Sequence, residues 1–107
     1  MTIVRRWRGL VQVKDRDAYV RYVADTGAAD YAKTTGNIAA EIHTRNLDDG
    51  TCEIVTLSWW STLAAIEAFA GKDATLARYY AQDDRYLLQR PTHVEHLELV
   101  HRKGRRA

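Results

Sequence analysis

Three tryptophans and six tyrosines against one phenylalanine are the side chains of this 107-residue chain best suited to holding an organic ring. Each offers a large apolar face and one polar atom, which suits a core and equally a ligand cavity. Titratable candidates are fewer. The four histidines show no His-x-x-x-His spacing on a helix, and Cys52 is the sole cysteine. No zinc-type ligand set and no intrachain disulfide can be assembled from them, so no metal site is expected. Arg78 and Arg85 lie in a tyrosine-rich run with Tyr79, Tyr80 and Tyr86. They could bring positive charge to an anion, with surface solvation as the plainer alternative. Glu53 is a possible base.

The elements that must position these residues follow from alternation and punctuation. Residues 3–13 alternate, with Trp7, Gly9, Val11 and Val13 on one face and Arg6, Arg8, Leu10 and Gln12 on the other. Asp15 can cap a helix whose stripe is Ala18, Tyr19, Tyr22, Val23 and Thr26; Gly27 ends or bends it, and a further turn or two can occupy 28–34. Residues 37–46 alternate again, Ile38, Ala40 and Ile42 against Glu41, His43 and Arg45. The Asp-Gly of LDDG marks a hairpin, and its return strand is 51–60. Ser61 then caps a helix with Leu63, Ile66, Phe69 and Ala70 inward and Gly71 at its end. Residues 74–89 read as more helix, broken near Asp83–Asp84. Pro91 stops it, and residues 92–101 form the last strand.

The order β-α-β-β-α-β predicts an α+β, ferredoxin-like domain: a four-stranded antiparallel sheet with its helices on one face. Residues 1–101 make the domain and 102–107 a basic tail carrying Arg102, Lys103, Arg105 and Arg106. Such a terminal run reads as solvated rather than as a nucleic-acid patch, which needs a folded basic face. A net charge of +2, 46% hydrophobic and 28% charged residues are ordinary globular values, with no membrane-length apolar run. A cytoplasmic location is expected. The uncovered sheet face is predicted to hold Arg6, Arg8, Glu41, His43, Ile54, Thr56, Trp60, Val94, His96 and Glu98. Its apolar centre predicts a two-fold homodimer, with Arg6 or Arg8 meeting Glu41 or Glu98 of the second copy.

From the second strand onward the chain resembles the antibiotic-biosynthesis-monooxygenase family of dimeric α/β-barrel proteins. The resemblance rests on Trp59-Trp60-Ser61 at the strand-to-helix junction, Ala68 to Gly71 at a helix end, a tyrosine-rich third piece, and His96 to Glu98 in the final strand. It implies a pocket between helices and sheet in each subunit of a dimer. It further implies a cofactor-independent monooxygenase acting on a phenolic or polycyclic aromatic molecule, whose own anion reduces O₂. A non-redox binding protein, isomerase or cyclase using the same pocket is the alternative, and a purely structural dimer with a filled core comes third.

Within that frame Trp59, sharing a face with Val55 and Leu57, points under the helices. Tyr79, Arg78 and His93, which falls on the helix-facing parity, join it as catalytic candidates. Trp7, Tyr19, Tyr22, Tyr80 and Tyr86 are the substrate-binding candidates, each with core packing as its other reading. Trp60, His43 and His96 are placed at the interface. The first strand holds no asparagine and residues 61–91 no histidine, which argues against the haem-degrading branch. Val55 stands where actinorhodin-type members carry an asparagine.

Overall fold

The computed structural model describes residues 1–104. Strand β1 (Ile3–Gln12) leads through a 3-10 turn into two consecutive helices, α1 (Arg16–Asp25) and α2 (Gly27–Lys33). The hairpin β2 (Asn37–Asn46) and β3 (Thr51–Trp60) follows, then α3 (Leu63–Ala70), a long irregular stretch, and β4 (Glu95–Glu98). All neighbouring strands are antiparallel, in the order β2-β3-β1-β4. This is the expected ferredoxin-like α+β arrangement.

Local punctuation accounts for the ends of α3 more fully than for those of α1. Asp15 stands at the N-cap of α1, but its side chain makes no capping bond. The helix after β3 is capped by Thr62, not Ser61: the Thr62 hydroxyl accepts from the Ala65 N–H at 3.1 Å. Gly71, at φ 96°, ends that helix in a conformation that L side chains rarely adopt.

The hairpin corrects the predicted facing of β3. A two-residue Asp49-Gly50 turn would set Asp48 opposite Thr51, and Ile54 would then share a face with Arg45. Instead three residues, Asp48 to Gly50, form the loop, with Gly50 at φ 84° and the Leu47 N–H donating to Thr51 O at 2.8 Å. Arg45 therefore faces Glu53, and His43 faces Val55. A shift of one residue turns every side chain of the strand over. Cys52, Ile54, Thr56, Ser58 and Trp60 lie with Trp7 and Val11 under the helices, and Trp60 is fully buried. Glu53, Val55, Leu57 and Trp59 share the open face with Val4, Arg6 and Arg8. Trp59 and Trp60 have exchanged their predicted places.

The final strand is also turned over and shortened. His96 pairs with Arg5 on the helix-covered face, Val94 is buried, and His93 lies beside Arg6, Arg8 and Glu95 on the open side. The predicted helix over 74–89 is replaced by irregular chain with one 3-10 turn, Asp83–Arg85. Its backbone groups are engaged elsewhere: Ala77 N–H donates to Thr92 O and Val94 N–H to Thr75 O, each at 2.8 Å, and Leu88 N–H donates to Leu10 O at 2.7 Å. A peptide group bonded to a neighbouring segment is not available to a helical ladder. The same pairing shortens β4, whose upstream residues face 75–77 instead of β1.

Two apolar clusters fill the space between helices and sheet. Trp7, Val11, Tyr19, Val23, Cys52, Ile54 and Val94 form one; Tyr31, Trp60, Ala65, Ile66, Phe69 and Ala74 form the other. A polar band crosses the sheet between them, with Arg5 between His96 and Ser58 in register and Thr56 one pair further along. No helix among the described residues is long and apolar enough to cross a membrane. Of the basic tail, Arg102 and Lys103 are exposed, while Arg105 and Arg106 lie outside the described residues.

Candidate functional site

The polar band floors a cleft of about 420 Å³ including its open mouth. The sheet contributes Arg5, Trp7 and Thr56, with Val94 just before β4; α1, α2 and their junction contribute Tyr19, Val23, Thr26, Gly27 and Tyr31. Phe69 at the end of α3 and the irregular stretch with Arg78, Tyr79, Tyr80 and Asp83 close the far side. The cavity itself is small, about 40 Å³, and opens to solvent.

Trp7 reaches the cleft because Gly9 lets its indole fold back along the strand. A Cβ at Gly9 would lie 2.3 Å from the ring's Cη2 and 2.9 Å from Leu87. The Trp7 Nε1–H donates to the Tyr79 hydroxyl at 3.2 Å, and that hydroxyl donates to Pro91 O. Tyr19, 1% exposed, donates to Asp83 Oδ1 at 2.8 Å, while Asp83 Oδ2 accepts the Tyr80 N–H at 2.6 Å. The Tyr80 hydroxyl donates to Asp30 Oδ2 at 2.6 Å, tying the irregular stretch to α2. Burial raises the pKa of Tyr19, Tyr79 and Tyr80; their carboxylate partners add to this at Tyr19 and Tyr80. All three are phenols at neutral pH, with their protons already committed.

Two guanidinium groups stand among these rings. Arg78 lies 4.9 Å from the Phe69 ring centre and 5.1 Å from that of Tyr80, donates to Phe69 O at 3.0 Å, and pairs with Asp30 at 3.5 Å. Arg5 is only 2% exposed and lies 5.8 Å from the same Phe69 ring. It donates to the carbonyls of Ala74 and Leu76, the second at 2.9 Å. Its Nη1 also meets His96 Nε2 at 3.1 Å. A guanidinium has only donors, so this ring nitrogen is the acceptor and His96 is neutral. Burial, and then the Arg5 charge, lower the His96 pKa accordingly. Burial lowers that of Arg5 as well, partly offset by neighbouring Tyr31.

The cleft thus brings together Trp7, Tyr19, Arg78, Tyr79 and Tyr80 of the predicted site residues. Tyr22 and Tyr86 pack behind it: their rings lie tilted against Tyr19, and the Tyr22 hydroxyl accepts the Gln82 N–H at 2.9 Å. Trp59 and His93 lie on the other side of the sheet, for the register reasons given above. Glu53 is there too, held below the usual carboxylate range by its bond from Arg8 despite some desolvation. Arg85 rests near Tyr86, outside the cleft lining. Sequence reasoning missed Arg5, Tyr31, Phe69 and Asp83 as lining residues. Arg5 had a visible signal, since it falls two before Trp7 on the inward parity. No group of three or more His, Cys, Asp or Glu suited to a metal occurs among the described residues.

No protein-family model matches the sequence, and no curated protein matches it significantly. Solved structures do. A Nitrosomonas europaea protein assigned to antibiotic biosynthesis monooxygenases superposes with a TM-score of 0.65 at 15% identity, over 96% of this chain and 94% of its own. A Bacillus cereus protein of the same assignment gives 0.62 at 15% identity, over 99% and 98%. A Mycobacterium tuberculosis protein gives 0.63 at 18% identity, over 97% and 100%. At such identities the likeness concerns the fold. The chain has the fold of the antibiotic biosynthesis monooxygenases.

Proposed function

We propose that this protein is a cofactor-independent monooxygenase acting on a phenolic or polycyclic aromatic molecule held in the cleft. The observation that carries this reading is the lining itself: Trp7, Tyr19, Tyr79, Tyr80 and Phe69 share it with two guanidinium groups. Aromatic walls bind a flat ring, and the cations favour its ionised form. In such a reaction an activated ring methylene loses two hydrogens and becomes a carbonyl. One atom of O₂ forms the new C–O bond, the other leaves as water, and the substrate supplies all the electrons. Oxygen uptake with a panel of anthrones and quinols tests the reading, with Arg78→Gln as the comparison. Uptake that depends on Arg78 supports it; no uptake with any substrate counts against it.

A non-redox binding or isomerising role is the second reading. Its motive is that Asp83, the carboxylate of the lining, is buried and already holds the bonds from Tyr19 and Tyr80, an arrangement that ties the cleft walls together. Ligand-induced thermal stabilisation without oxygen uptake favours it. Either reading goes with two-fold pairing of chains through the open sheet face. There Val4, Val55, Leu57 and Leu97 form an apolar strip, with Leu97 half exposed, that a second copy would cover. The predicted ion pairs across that interface need revising. Arg6 already meets Glu95 at 2.8 Å, Arg8 meets Glu53, and Glu98 lies on the other face.

A further inference from the structure

Arg5 is a buried cation without a counter-ion. At 2% exposure it is among the least accessible large side chains. Yet it takes part in no ion pair among the described residues, and its neighbours are two carbonyls, neutral His96 and Tyr31. Its Nε is moreover a buried nitrogen with no hydrogen-bond partner. Buried charges are ordinarily paired, because removing a cation from water without compensation is strongly unfavourable. An N–H left unbonded in the interior adds to that cost. The other charged and polar groups of the lining contrast with it. Arg78 has Asp30, Asp83 has Tyr19 and Tyr80, and the Tyr79 and Tyr80 protons are donated to Pro91 and Asp30.

We infer that the ligand of this cleft is an aromatic acid whose carboxylate becomes the counter-ion of Arg5 and accepts its Nε–H. This rests on the reading of the cleft as an aromatic site and names the group that orients the ring within it. A carboxylate fits better than a phenol at this position. A carboxyl group, with a pKa near 4, arrives ionised at neutral pH, whereas a phenol near 10 must first lose its proton. Asp83, the carboxylate of the lining, already holds the bonds from Tyr19 and Tyr80. Guanidinium and carboxylate form strong charge-assisted hydrogen bonds, and Arg is the side chain suited to buried pairs of this kind. With the acid group on Arg5, the ring lies along Phe69 toward Arg78, both guanidiniums lying within about 6 Å of the centre of that same ring.

The test compares 2-naphthoate, 2-naphthamide, 2-naphthol and acetate as ligands of the full chain, followed through the arginine Nε–H resonances in ¹⁵N-correlated NMR spectra. Arg5→Lys identifies the Arg5 signal by its loss; the titrations themselves use the unaltered protein, so they do not depend on that variant folding well. Saturable binding of 2-naphthoate with a downfield shift of the Arg5 Nε–H supports the inference. So does binding of 2-naphthamide about 10- to 100-fold more weakly, the range expected for losing a hydrogen bond to a charged group. Equal binding of acid and amide with the Arg5 signal unmoved overturns it and leaves the aromatic site standing. A shift with 2-naphthol alone likewise overturns it. If acetate moves the signal and no naphthalene binds, the aromatic site is itself refuted. If no probe binds at all, both are.

Discussion

At the scale of single residues, the molecule's least ordinary contact is between Arg5 and neutral His96. The ordinary imidazole pKa is about 6.5, and that of folded His96 lies below it. Near and just under pH 6.5 the unfolded chain therefore binds more protons than the folded one. This contribution to stability is complete above that range and is lost as pH falls through it. Thermal melts of the natural protein should accordingly drop more steeply between pH 7.5 and 5.5 than those of His96→Gln, which keeps an acceptor that cannot titrate. Parallel profiles would disprove this. Tyr19→Phe removes a buried hydroxyl and leaves Asp83 Oδ1 without the bond that Tyr19 donates. It should cost about 1–3 kcal/mol in urea denaturation. The two residues differ in how far they could be anticipated. Tyr19 was legible as an inward position of an amphipathic helix. Arg5 falls on an inward parity too, but a charge there reads as an exception until Ala74 and Leu76 supply carbonyls from about seventy residues away.

At the scale of elements, glycine positions and loop parity decide what each strand presents. Gly36 and Gly50 both have φ near +90°, so alanine is strained at each. Only Gly36 is also crowded: a Cβ there would lie 2.5 Å from Ala65 Cβ and 3.0 Å from Ser61 Oγ, whereas nothing lies within 4 Å at Gly50. Gly50→Ala should therefore destabilise by about 1–2 kcal/mol and Gly36→Ala by about 1–3 kcal/mol more. Equal midpoints for the two variants in chemical denaturation would count against the packing of α3 on the β2 entry. The β2 and β3 bounds were legible to the residue, because β-branched and aromatic runs flank a turn signal. The facing of β3 was not. Both of its faces carry apolar residues, so composition could not choose between them, and a three-residue loop did.

At the scale of the whole molecule, helices cover one side of the sheet and leave the other open. The proposed two-fold pairing through that open side gives a direct expectation. Light scattering after gel filtration should find a dimer at micromolar concentration, and Leu57→Glu should convert it to a folded monomer. Leu57 faces Arg6 on the open side, so a monomer of unchanged circular dichroism would locate the interface there. A monodisperse monomer of the natural chain at the same concentration would exclude the pairing.

The amino-acid sequence alone determined the order of elements, the ferredoxin-like class, the hairpin, the facing of β1 and the inward positions Tyr19 and Val23 of α1, though Ala18 of the predicted stripe is exposed. These depend on periodicities and turn residues within one segment. Only the tertiary structure decided which tryptophan lies under the helices, that the chain after Gly71 is not helical, and that Arg5 is buried beside His96. Alternation states which residues of a strand share a side, but not which side is covered. That choice depends on loop length and on the register with neighbouring strands. Within residues 72–92, Leu88 likewise bonds to Leu10 and Ala77 to Thr92, pairings that no local propensity records.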